Sequence, residues 1–393
     1  MRGSTGGAAS GDAGGSAAID SAPDSSGDAP SDQQPEPAPE PTVVERVLAQ
    51  MTLEQKVAQL FIVTPEQLTG VSRATVAGGL TRDALARIPV GGFCYFGQNI
   101  VGNQQLRDLL AGTRELCAHA GAGIAPFLTV DEEGGRLVAR VANSGYFDVQ
   151  QFPNMADIGA TGDAVRASEV GEAIGTYLHE IGFNVDFAPD ADVLTNPANT
   201  VIGPRSFGSD PGLVSSMVSA EVAAMLKTGV LPCVKHFPGH GDTAGDSHTG
   251  AVYATRTREE IEACELRPFA SGIEAGCPMV MVGHIETPNF AADGLPASLS
   301  TVMMTDVLRG QLGFKGVIVS DSFAMGAITQ NFAPADAAVR FIQAGGDIIL
   351  MPQNLQEAYD GLLASVVSGT IPESRIDESV KRVLIAKQTA GLL

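Results

Sequence analysis

The sequence predicts an α/β fold, a (β/α)8 TIM-type barrel, on three observations. Eight short apolar runs recur along residues 43–393, separated by helical patterns. The runs are continuous rather than alternating, as strands buried on both faces of a parallel sheet are. Several end in a charged or polar residue, and barrel enzymes draw their chemistry from the C-terminal ends of strands. A doubly wound open sheet is the alternative, but no Gly-x-Gly-x-x-Gly follows the first run.

Taken in order, the strand runs are 60–63, 91–96, 126–131, 183–188, 231–236, 278–284, 316–321 and 346–351. Each is bounded by the Gly, Pro or polar residues that interrupt regular structure. Between them the apolar spacing predicts helices over 164–181, 211–228, 259–275 and 335–344, and a last helix over 376–390 closes the eighth unit. Residues 43–393 are thus read as a single catalytic domain.

Residues 1–42 are of another kind. They hold Gly, Ser, Ala, Asp and Pro without hydrophobic periodicity, so nothing offsets the entropy of ordering them, and a disordered tether is expected. Seven acids against Arg2 give the tether −6 of the chain's −21, leaving −15 on the body. The opening Met1-Arg-Gly-Ser4 reads as a cloning scar. A tether of this composition is expected to follow an export or lipoprotein signal, which places the protein outside the cytoplasm, with a lipid anchor as one means. A plain tail on a cytoplasmic protein is the alternative.

The acidic balance leaves no basic stripe for phosphates, so no nucleic-acid partner is expected. The apolar runs are too short for a transmembrane segment. Five cysteines, an odd number with no Cys-x-x-Cys, exclude a zinc ribbon and a dense disulfide framework. Tryptophan is absent and aromatics make up 5% of the chain, which suits a small-molecule pocket better than a platform for a polymer.

The strand ends carry Asp131, Asp190 and Asp192, Lys235 and His236, His284, Asp321, and Met351-Pro352. One such aspartate is ordinarily a helix N-cap, but six such ends facing one way, five of them polar or charged, exceed what capping explains. The stretch Lys235-His-Phe-Pro-Gly-His-Gly-Asp-Thr-Ala-Gly-Asp-Ser-His248 holds three of the six histidines. A metal site from His236, His240, Asp246 and His248 is one reading. The other is proton transfer, with Asp246 orienting and charging His248 two residues away on a glycine-flanked loop. Metal-dependent barrel hydrolases usually take a His-x-His pair from the first strand, and 60–63 has no histidine, so no metal is expected. Asp131-Glu-Glu-Gly-Gly135 sets a carboxylate before a turn that lets backbone approach a ligand, and Arg205 lies on a loop after the fourth run.

On these residues the chain resembles glycoside hydrolase family 3, in its single-domain β-N-acetylglucosaminidase branch. The resemblance covers about 50 to 390. It is carried above all by Lys235-His-Phe-Pro-Gly-His-Gly-Asp-Thr243 with Asp246-Ser-His248. It is supported by Asp131-Glu-Glu-Gly-Gly135, Val201-Ile-Gly-Pro-Arg-Ser-Phe-Gly208, Val319-Ser-Asp321 and Ala344-Gly-Gly-Asp-Ile-Ile-Leu-Met-Pro352. It implies a retaining exo-hydrolase of terminal β-linked GlcNAc, with Asp321 as nucleophile and His248 as acid/base paired with Asp246. It further implies Asp131, Arg205, Lys235 and His236 as sugar-holding residues. An arginine after the glycine pair belongs to the same set: Arg140, or Arg136 if the spacing is read one residue shorter. His284 stands as a pocket-lining candidate. The substrate is then a small GlcNAc-containing glycoside and no cofactor is implied. A phosphorylase of the same fold, a broader β-glycosidase and a non-catalytic sugar-binding lipoprotein are the alternatives.

Overall fold

The computed structural model describes residues 41–393, with Ala18 alone ahead of them. The tether expected over 1–42 therefore lies outside the described residues except for its last two. Of these, Thr42 already belongs to the body, because its side chain caps the helix Val43–Gln50 in a reciprocal box with Glu45.

Eight parallel strands follow one another around a barrel in chain order: β1 (Phe61–Val63), β2 (Gly92–Tyr95), β3 (Phe127–Val130), β4 (Val185–Asp186), β5 (Leu231–Phe237), β6 (Met279–Val282), β7 (Val317–Ser320) and β8 (Ile349–Leu350). β8 pairs with β1 in the register Phe61 with Ile349. Closure against β7 comes from Ser320 N–H donating to Ile348 O at 2.9 Å and Ile348 N–H to Ile318 O at 3.0 Å. Each strand is buried throughout, which is why the sequence shows unbroken apolar runs.

The outer layer consists of α1 (Gly79–Leu85), α2 (Asn103–Ala118), α3 (Ala164–Ile181), α4 (Pro211–Leu226), α5 (Leu266–Glu274), α6 (Val302–Gln311), α7 (Pro334–Gln343), α8 (Leu355–Val367) and the terminal α9 (Glu373–Thr389). α3 starts at the Asp163 cap and stops at Gly182, as its pattern predicts. The single helix expected over 259–275 is instead two, Arg258–Ala263 and α5. Pro268 is the reason, since in a continuous helix its ring would meet the carbonyl of Cys264, and the chain breaks there at φ −122°, ψ −78°. α6 is wound as a π-helix, Leu312 N–H reaching back five residues to Val307 O. Two small ribbons stand outside the barrel: Glu132–Gly134 pairs with Val138–Ala139, and Val252–Tyr253 with Ile285–Glu286. All five cysteines are free and buried. Among the described residues no helix is long and apolar enough to cross a membrane.

Candidate active site

The chain leaves the strands on one end of the barrel, and there a cavity of about 450 Å³ opens. Asp131, Arg140, Arg205, Lys235, His236, His248 and Asp321 all line it, together with Glu133 and an apolar wall that includes Phe96, Met281 and Met351. Asp131 follows β3, Lys235 and His236 sit within β5, and Asp321 follows β7. Met351, just past β8, has φ +46°, a left-handed conformation uncommon for a side chain of its size.

One wall is a buried charge network centred on Glu133. Its carboxylate accepts from Arg205 Nε at 2.8 Å and Nη2 at 2.7 Å, and lies 2.6 Å from Lys235 Nζ. Burial alone would raise its pKa, but the two cations outweigh burial and hold the carboxyl far below its usual range. Lys235 is also bonded to Asp131 at 2.7 Å. Burial opposes its charge, while Asp131 and Glu133 raise its pKa, so it stays an ammonium. Asp131 and Glu133 both reach Lys235 because residues two apart on extended chain share a face. Glu132 points the other way and accepts from Val141 N–H, Ala142 N–H and Tyr177 Oη. The following glycines, at φ +83° and +68°, make the turn that a side chain would strain.

Beside this network His236 is fixed in one tautomer. Nδ1 donates to Asp192 Oδ2 at 2.7 Å, and Nε2 accepts from Arg205 Nη2 at 3.4 Å. Asp190, Asp192 and His236 bring their ligating atoms together, yet Arg205 Nη2 is also 3.6 Å from Asp190 Oδ2. A cation placed there would face a fixed guanidinium, and both imidazole nitrogens are already engaged, so the donor set does not fit a metal.

Asp321 is half-buried and its Oδ1 accepts from Ser322 N–H at 2.7 Å. Burial pushes its pKa up. His284, His236, the Ser322 N–H and Lys235 together outweigh that and hold it below its usual value, so it is ionised near neutral pH. His284 stands behind Asp321 rather than in the cavity wall, which corrects the pocket-lining expectation: burial excludes it from the opening. Its Nε2 donates to Ser322 O at 2.9 Å and its Nδ1 faces Ser298 Oγ at 2.7 Å, so it orders the turn that carries Asp321.

His248 comes to the cavity on the long loop after β5. Its Nδ1 is committed to Asp246 Oδ1 at 2.8 Å, which leaves Nε2 for whatever enters, and the side chain is 68% exposed. Asp246 does not line the cavity. It braces the ring from behind; burial pushes its carboxyl up, but two hydrogen bonds from His248 and the nearby imidazoles together outweigh that and hold it low.

Of the two arginines left open, Arg140 lies in the cavity wall over Phe96, 5.8 Å from the ring centroid. Arg136 is exposed, with its N–H on Asn154. The residue that sequence reasoning did not single out is Glu133. Its signal was the period of two from Asp131.

Comparison with known proteins places the chain in one family. A model of the glycosyl hydrolase family 3 N terminal domain matches residues 52–386. Beta-hexosaminidase A of Pseudoalteromonas piscicida is 37% identical over 293 residues, which is 71% of this chain but 48% of that protein. Beta-hexosaminidase LpqI of Mycobacterium tuberculosis is 35% identical over 68% of this chain and 70% of its own length. A solved family 3 β-N-acetylglucosaminidase from Paenibacillus sp. superposes with a TM-score of 0.81 at 37% identity, covering 87% of this chain and 63% of that one.

Proposed function

This chain belongs to glycosyl hydrolase family 3, and from that premise we propose that it is a retaining exo-β-N-acetylglucosaminidase with Asp321 as nucleophile and His248 as acid/base. The observation that carries the reading is the pairing of these two groups on one cavity. Asp321 is an ionised carboxylate, and His248 offers a free Nε2 because Asp246 occupies its Nδ1.

In the first step Asp321 attacks the anomeric carbon. The bond to the leaving oxygen breaks, and that oxygen takes the proton from His248 Nε2. In the second, water gives a proton to the now neutral Nε2 and attacks the same carbon, and the bond to Asp321 breaks. Two inversions restore the β configuration. Asp246, bonded to Nδ1, keeps the ring oriented with Nε2 toward the cavity in both steps. Arg205, Lys235, Asp131 and Arg140 supply the donors and acceptors for hydroxyl and acetamido groups, and His236 lines the same cavity and holds Arg205 in place. Neither step calls for a metal or organic cofactor. The relatives named beta-hexosaminidase, together with the solved β-N-acetylglucosaminidase, support GlcNAc as the sugar.

The test is a panel of aryl β-glycosides of GlcNAc, GalNAc, glucose and xylose, with turnover expected for GlcNAc. Sugar 1-phosphate released in phosphate buffer would replace hydrolysis by phosphorolysis. Asp321→Asn should lose turnover of every substrate. Each tenfold loss of rate corresponds to about 1.4 kcal/mol of barrier. His248→Ala should keep the first step for dinitrophenyl GlcNAc, accumulate a sugar adduct on the Asp321 peptide, and be rescued by azide as the β-glycosyl azide. An α-azide product, or an adduct elsewhere, would overturn the assignment. The proposal extends to location: the composition of residues 1–42 supports a protein working outside the cytoplasm, which fractionation of the native cells would check.

A further inference from the structure

The segment carrying the Asp246–His248 pair is fastened to the chain that leaves the nucleophile strand. Ala327 N–H donates to Ser247 O at 3.1 Å, Gly326 N–H to His248 O at 3.1 Å, and Gln330 Nε2 to Thr249 O at 2.9 Å. Three successive carbonyls thus rest on one turn, Gly326–Gln330, that begins five residues beyond Asp321. Two of the donors are the opening N–H groups of the short helix Gly326–Thr329, which a helix leaves without internal partners. The earlier half of the loop is held from another side, by Asn199 Nδ2 on His240 O at 2.7 Å and Asn196 Nδ2 on Thr243 O at 3.1 Å. Apart from buried Ser247, the pair segment is open to solvent. The seat leaves no room for a side chain at 326. A Cβ there would lie 2.7 Å from His248 O and 2.9 Å from Gln330 Nε2.

We propose that Gly326 and Gln330 are positioning residues for the acid/base, setting the His248 imidazole relative to the Asp321 carboxylate through a single connection of five residues. The proposal rests on the reading of His248 as proton donor. The physical demand is strict, because proton transfer to a leaving oxygen requires hydrogen-bond reach, and a displacement near 1 Å forfeits most of the benefit. A loop tied to the nucleophile's own strand exit keeps the two groups in register when the rest of the loop moves. Gly326 is needed for closeness of backbones and Gln330 for its side-chain N–H.

The experiment uses the full chain and aryl β-GlcNAc substrates of graded leaving-group acidity. Gln330→Met keeps the length and removes the donor at an exposed position, so folding is preserved. Its kcat/KM should fall about tenfold for poor leaving groups and stay within about twofold for dinitrophenolate, with azide raising kcat. Gly326→Ala should show the same split more steeply, and Gln330→Lys, which restores an N–H, should recover the poor substrates. A loss uniform across leaving groups, or no loss, would overturn the proposal. His248→Ala measured alongside separates the two levels. If it shows the leaving-group split and Gln330→Met does not, the seat alone is wrong. If His248→Ala is indifferent to leaving group, the acid/base reading fails and the proposal fails with it.

Discussion

A buried carboxylate shared by two cations is a costly device unless every partner is in place. Glu133 satisfies Arg205 through two bonds and Lys235 through a third contact, and both cations face the cavity. Glu133→Gln keeps the shape, removes the charge and turns an amide N–H toward a cation. We expect a loss of about 3 kcal/mol in denaturant unfolding, the usual scale for breaking a buried pair, and kcat/KM at least about tenfold lower because Arg205 and Lys235 lose their common anchor. Unchanged stability would mean that Asp131 and Asp190 already satisfy the two cations. At this scale much of the site was legible in the sequence. Asp131, Lys235, His236 and Asp321 end or follow apolar runs, and Asp246 with His248 stood out by spacing. Glu133 was not singled out: the period of two from Asp131 could mark its face, but its pairing with residues 72 and 102 positions away could not be read locally. The tautomer of His236 and the place of His284 behind Asp321 likewise depend on long-range partners, Arg205 and Ser298.

Among the elements, those with a long periodic pattern were the ones the sequence could specify. α3 begins and ends where its cap and glycine predict, while the ribbon strands, two or three residues long, carry too few positions to show any period. The break at Cys264 was readable in principle from Pro268, but continuous amphipathic spacing across it masked the signal. α9 brings a titratable group under the barrel. Lys387 is fully buried, its Nζ donating to Gln59 Oε1 at 2.8 Å and Gly91 O at 2.9 Å, with the Phe127 ring 5.1 Å away. A neutral amine has two N–H groups for these two acceptors, and burial pulls the pKa from 10.5 to about 7. Between those values the unfolded chain holds a proton that the folded one has shed, so this group makes stability rise with pH across that window and weighs against the fold below it. Comparing Lys387→Met with the parent isolates the effect, since other titrations cancel. The stability of the variant relative to the parent should fall as pH rises from 7 towards 10, by up to about 1.4 kcal/mol per pH unit. A difference independent of pH would show that Lys387 keeps its proton throughout.

For the whole molecule, the question is where the folded body begins. Among the described residues, β1 pairs with β2 and β8, and the first helix supplies its own cap through Thr42 and Glu45. Glu45 also reaches forward to Lys381 of α9, tying that helix to the end of the chain. The segment before it has the composition of a tether and contributes −6 to the net charge, so its removal leaves −15 on the body and shifts long-range repulsion only modestly. Deleting residues 1–40 should therefore leave the melting temperature and kcat/KM on aryl β-GlcNAc within error of the full chain. Deleting two more residues, through Thr42, removes the box while leaving the helix residues in place and should cost about 1 kcal/mol, the usual worth of an N-cap. The pair of truncations locates the boundary. If the shorter deletion already lowered activity or stability, residues 1–40 would be part of the folded enzyme and the tether reading would be wrong.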